Sequence, residues 1–145
     1  MLKILFLCTG NSCRSQMAEG FARALKGDVI EPYSAGVAPY RLSAKATTVM
    51  AEAGVDISKQ YSKDVYDLFE IHFDYVITVC DNARESCPVF PGHATKVVHF
   101  GFEDPPFLAK DAKTEEEALS HYRRVRDEIK NFVEKLPGIL DQLSK

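Results

Sequence analysis

The 145-residue sequence has no long hydrophobic run. The apolar stretch at residues 4–8 is too short for the core of an export signal and far too short to span a bilayer, so a cytoplasmic protein without a membrane partner is expected. Excess positive charge is missing as well. Eighteen Lys and Arg stand against twenty-one Asp and Glu, a net charge of −3, which leaves no broad cationic face for a nucleic acid or an acidic lipid. Any anion site must therefore be local. Neither GxxxxGK[ST] nor GxGxxG occurs, which argues against a nucleotide loop. Repeats, low-complexity tracts and Gly/Ser linkers are absent, so residues 1–145 are expected to form one domain. A monomer is expected. At 46% hydrophobic and 27% charged residues, the chain can bury a core.

What the sequence does contain is an alternation of short apolar runs and helical stripes. Residues 2–7 read as a buried strand stopped by Thr9-Gly10-Asn11, with Cys8 at its C-terminal end. From Ser15 the spacing becomes helical through Met17, Ala18, Phe21, Ala22 and Leu25, and Gly27 ends it. A second strand at 29–35 is closed by Gly36, and a second helix at 44–53 carries Ala46, Val49, Met50 and Ala53 on one side before Gly54. The run at 75–79, ending at Cys80, and the run at 96–100, before Gly101, supply strands three and four. Thr114 and Glu117 make a capping box for a long helix striped by Leu119, Tyr122, Val125, Ile129, Phe132, Val133 and Leu136, ended or kinked at Pro137. Strands alternating with helices predict an α/β fold of three layers, a four-stranded parallel sheet flanked by helices on both faces, with ligands beyond the strand C-termini. Cys8 and Cys80 both fall on that edge.

The segment Cys8-Thr9-Gly10-Asn11-Ser12-Cys13-Arg14-Ser15 places a cysteine, five intervening residues and an arginine between a strand end and a helix start. Such a loop can curl around a tetrahedral oxyanion, its backbone N–H groups pointing inward and the helix adding its positive end. Gly10 is expected to supply freedom where the turn is tight. Arg14 offers two parallel contacts to two oxyanion oxygens. The same field, with the Ser15 hydroxyl, favours a thiolate at Cys8, the candidate nucleophile. Cys13 reads instead as a small buried hydrophobe whose part in the cradle is its backbone. Four cysteines without an export signal point to reactive thiols, not to structural disulfides. Zinc is disfavoured: Cys8 and Cys13 make no knuckle, Cys80 and Cys87 are separated by six intervening residues, and His93 and His99 complete no ligand spacing. No metal or cofactor is expected.

CTGNSCRSQMAEG at the loop, YSAG at 33–36, DIS at 56–58, HFGFEDP at 99–105 and VRDEI at 125–129 resemble the thioredoxin-coupled arsenate reductases, which share the low-molecular-weight protein tyrosine phosphatase fold. The loop motif is common to both families. What separates them is Cys80-Asp-Asn-Ala-Arg-Glu-Ser-Cys87-Pro, similar to the reductases' redox pair. The resemblance implies arsenate as substrate, Cys8 as nucleophile, Arg14 as an oxyanion ligand, Asp104 as the general acid, a disulfide passed from Cys8 to Cys80 and Cys87, and thioredoxin as the electron donor. If residues 81–87 are helical, seven steps of ~1.5 Å separate Cys80 and Cys87 by roughly 10 Å, so pairing them requires unwinding. Asp104 precedes Pro105 and Pro106, which stiffen its loop. Asp81 and Glu103 read as solvated loop charges, and His72, His93, His99 and His121 match no catalytic spacing.

Two departures from the family matter. Some relatives bind potassium through residues matching Asn11, Glu19 and Ser34 and an aspartate where Lys63 stands here. The lysine could substitute for the cation, or Asp64 could shift in. Pro106-Phe107 is more aromatic than a reductase needs, which keeps a tyrosine phosphatase open as the alternative, although Gln16 stands where those phosphatases usually carry proline. A non-catalytic sensor of redox state or oxyanions is the third reading.

Overall fold

The structure, a computed structural model, describes residues 1–81 and 89–143. Alternation along β1 (Leu2–Cys8) organises it. Ile4, Phe6 and Cys8 enter one core while Leu5 and Leu7 enter another, and all five are buried. A strand apolar on both faces belongs in the middle of a sheet. The observed order is β2 (Ile30–Gly36), β1, β3 (His72–Thr78), β4 (His93–His99), all parallel. Cys8 lies opposite Gly36, Leu7 opposite Thr78 and Thr78 opposite His99, so the strands end on one common edge.

The larger core is covered by α1 (Arg14–Lys26), α2 (Ala44–Glu52), α4 (Glu115–Glu134) and α5 (Leu140–Leu143), with the short α3 (Pro105–Leu108) against α4. Across the sheet, Leu5, Leu7, Phe73 and Val76 pack beneath the 3-10 helix Val65–Leu68, Ile71 and Phe90. This is the layered α/β architecture that the alternation predicts. Thr114 caps α4 by accepting the Glu117 N–H at 3.0 Å, and the stripe Leu119, Tyr122, Val125, Ile129, Phe132, Val133 is buried. The Glu117 carboxylate reaches one residue further back than a capping box requires, to the Lys113 N–H. Among the described residues no helix is long and apolar enough to cross a membrane.

Boundaries differ where local chemistry misleads. β3 and β4 each begin three residues before the predicted runs, because His72 pairs with His93 and Phe73 with Ala94, residues whose polar neighbours break the apolar pattern. β2 starts one residue later than predicted, since the Val29 N–H closes the turn onto Lys26 O. Gly27 keeps a right-handed φ of −62°, and its need for glycine is steric: a Cβ would stand 2.7 Å from Arg23 O. Gly54, at φ +83°, is the left-handed stop after α2. The helical reading of residues 81–87 lies, from residue 82 onward, outside the described residues.

Candidate active site

The loop between Cys8 and Arg14 is shaped from outside. Its left-handed residue is Asn11, at φ +48°, and not Gly10, where a Cβ would meet nothing closer than 3.9 Å. Asparagine tolerates this conformation, and every polar group of its side chain is used. Nδ2 donates to Ser15 Oγ (2.8 Å), while Oδ1 accepts from the Lys63 N–H (2.8 Å) and Gln16 Nε2 (3.1 Å). The Asn11 carbonyl accepts from Ser62 Oγ (2.7 Å) and Gln16 Nε2 (3.0 Å). Gly36, the residue paired with Cys8, permits the approach: a Cβ there would be 2.4 Å from Thr9 O.

These contacts turn Asn11 and Ser15 behind the cradle, while Cys8, Thr9, Gly10, Ser12, Cys13 and Arg14 line a cavity of about 760 Å³ together with Asp104, Pro106 and Tyr122. Cys8 Sγ is 2.8 Å from Ser15 Oγ. The first turn of α1 has no side-chain cap and no acidic residue, so the positive end of the helix dipole is not offset by a carboxylate within that turn. Arg14 is buried, donates from Nη1 to Phe102 O (3.0 Å) and brings Nη2 to 3.5 Å from Asp104 Oδ1. Asp104 is thus held in the wall of the cavity that Cys8 also lines. Cys13 is a poor nucleophile: burial, then the Asp104 charge, push its thiol far above the ordinary range. Burial, then Cys13, likewise push Tyr122 up to about 12, so its hydroxyl, which faces Ser43, keeps its proton.

Cys8 and Cys13 are free thiols, whereas Cys80 is disulfide-bonded and fully buried. Cys80 follows β3 and is clamped by the next crossing of the chain. Phe100 N–H donates to Thr78 O, Phe102 N–H donates to Val79 O, and a Cβ on Gly101 would be 2.6 Å from Cys80 O. The same segment supplies the Phe102 carbonyl that holds Arg14, so the backbone at Cys80 and the Arg14 side chain pack against one short stretch of chain. Cys87 lies outside the described residues.

Behind the loop, Glu19 is buried, accepts from Ser34 Oγ (2.5 Å) and pairs with Arg23 (2.7 Å). Lys63 Nζ stands 3.7 Å from Glu19 and donates to Tyr61 O at 2.7 Å. Burial lowers the Lys63 pKa and Glu19 opposes that shift. Asp64 faces elsewhere, accepting from the Tyr66 N–H as cap of the 3-10 helix. These residues do not fit a potassium ion, because an ammonium group already stands beside the buried carboxylate. Lys63→Met is expected to destabilise the fold by about 1–3 kcal/mol, the cost of leaving a buried carboxylate under-compensated, measured by urea denaturation.

Ser62 shapes the loop without any motif announcing it, and Gln16 and Gly36 lie within CTGNSCRSQMAEG and YSAG, segments whose pattern does not disclose their contacts with Asn11 and Thr9. The one available hint is Gln16 and Glu19, two polar residues within the buried half of α1.

A Cys-x5-Arg loop at the head of a four-stranded parallel sheet, faced by an Asp-Pro element, is the architecture of the low molecular weight phosphotyrosine protein phosphatases, whose family model matches residues 3–145; the chain belongs to this family. Within it, the chain is similar to arsenate reductases. It is 51% identical to that of Bacillus licheniformis over 127 residues, 87% of this chain and 88% of the relative. An arsenate reductase solved in its phosphate-binding state superposes with a TM-score of 0.74 at 32% identity, over 99% of this chain and 100% of that one. A thioredoxin-dependent arsenate reductase of Corynebacterium glutamicum matches at TM-score 0.64 and 25% identity, over 100% of this chain and 63% of that one.

Proposed function

We propose that the protein is an arsenate reductase that works by a three-cysteine relay and is regenerated by thioredoxin, acting as a single-domain cytoplasmic monomer. The observation that carries this reading is the pairing of a free Cys8 inside an arginine-backed anion loop with an oxidised Cys80 at the same sheet edge. A phosphatase has no use for the second.

The cycle begins with arsenate in the loop, its oxygens on backbone N–H groups of residues 9–15 and on Arg14. The Cys8 thiolate, supported by the Ser15 hydroxyl, attacks arsenic. Asp104 protonates the departing oxygen, which leaves as water, and a Cys8–S–As(V) adduct forms. Cys80 then attacks the Cys8 sulfur. The S–As bond breaks, its electron pair stays on arsenic, and arsenite leaves with a Cys8–Cys80 disulfide behind it. Cys87 attacks Cys80, freeing Cys8 as thiolate, and thioredoxin reduces the Cys80–Cys87 disulfide.

The test is arsenate-dependent NADPH consumption with thioredoxin and thioredoxin reductase present. Sustained consumption is expected, and its absence with all three cysteines intact would overturn the reading. Aryl phosphate hydrolysis is the competing reading. It is favoured by a cavity of about 760 Å³ walled by Tyr40 and Pro106, more room than a bare oxyanion needs. Release of a phenol with no arsenate turnover would select it. Asp104→Asn is expected to slow the first chemical step by roughly 10²–10⁴-fold while leaving phosphate binding largely intact, because it removes a proton donor and not an anion ligand. Single-turnover kinetics and phosphate titration read the two effects separately.

A further inference from the structure

The chain leaving β2 runs as a strap along the oxyanion loop. Ala38 N–H donates to Thr9 O (2.9 Å), Tyr40 N–H to Gly10 O (3.0 Å) and Ser43 N–H to Ser12 O (2.9 Å). Side chains carried between these points are therefore fixed relative to the loop. One of them is Arg41. It is exposed, it lines the same cavity as Cys8 and Arg14, and its guanidinium lies over the Tyr40 ring, 5.0 Å from the centroid.

The other cations of this wall are engaged. Arg14 is held by Phe102 O and Asp104, and Lys45 stands 3.7 Å from Glu115. Arg41 makes no ion pair with any described residue. The chain as a whole carries −3, so at long range it repels a dianion, and attraction has to come from a local positive field at the mouth.

We infer that Arg41 is the outer cation of the oxyanion site: it draws a tetrahedral dianion to the mouth of the cavity and holds it against the loop. Its contribution is to affinity and capture, and the bond-making step belongs to the groups beneath it. The inference rests on reading residues 8–15 as an oxyanion cradle. It is specific in a further way, because a solvent-facing charge acts through water and is screened by salt, whereas the buried Arg14 is not.

The test compares wild type, Arg41→Ala, Arg41→Lys and Lys26→Ala, the last an equal change of charge at the far end of α1. Inorganic phosphate is titrated calorimetrically into each at two ionic strengths, and KM for arsenate is measured in parallel. Arg41→Ala is expected to weaken phosphate binding roughly threefold or more at about 20 mM salt, with the difference fading near about 0.5 M, and to raise KM correspondingly. Arg41→Lys should keep most of the affinity and Lys26→Ala all of it. An unchanged dissociation constant for Arg41→Ala at low salt would overturn the inference. So would a loss of equal size at both salts, which marks a distorted strap, or an equal loss in Lys26→Ala, which marks net charge alone. Wild-type protein that binds no phosphate would instead remove the cradle itself.

Discussion

Cys8→Ser protein is expected to show neither arsenate reduction nor aryl phosphate hydrolysis above background, a loss on the order of 10³-fold or more in each. Both reactions need the same nucleophile in the same cradle, and a serine hydroxyl does not ionise there as a thiol can. The substitution is nearly isosteric and leaves the β1 ladder to Gly36 untouched, so the loop keeps its shape. Phosphate should still bind, and titration of the variant separates a lost nucleophile from a lost site. Cys13→Ser should keep most activity, because burial and the neighbouring Asp104 charge already hold that thiol protonated. Finding Cys13 essential and Cys8 dispensable would reverse the assignment.

Cys87→Ser protein is expected to release about one arsenite per molecule and then stop, because Cys80 can still attack the Cys8 adduct but nothing frees Cys8 afterwards. Quantifying arsenite after one addition of arsenate gives the stoichiometry, and peptide mapping should find Cys8 joined to Cys80. A Cys80→Ser protein should release little or none. Continued turnover in the Cys87→Ser protein would show that an external thiol can resolve the Cys8–Cys80 bond, and the relay would then end at Cys80. Wild-type protein with every cysteine still reduced after arsenate exposure would leave the phosphatase reading standing.

The sheet and its helices were readable because burial imposes a period. β1 is apolar on both faces, and α4 carries a clean helical stripe under a Thr114 cap, so both can be recognised without any tertiary information. The 3-10 helix Val65–Leu68, α3 and α5 span four residues each, too few for any periodicity, and none was foreseen. The site divides in the same way. Cys8, Arg14 and the loop between them are local in sequence, and the structure gathers them with Asp104 around one cavity. What escaped was whatever acts across the chain. Gly10 is the residue of the turn with conformational freedom, but the left-handed position is Asn11, stabilised by Ser62 and Lys63 some fifty residues away. No local pattern carries that information.

These remote attachments also determine how the site meets its ligand. The loop is tied down by Gln16 and Ser62, by the Lys63 N–H and by the strap from Ala38 to Ser43, contacts made entirely between protein groups. If the loop is the oxyanion cradle proposed above, an arriving oxyanion has little backbone to order and forfeits little affinity to conformational entropy. The corollary is that the site is not portable. A peptide of residues 8–15 has the motif in full and none of the restraints that give it a shape, and only the assembled sheet makes it a receptor.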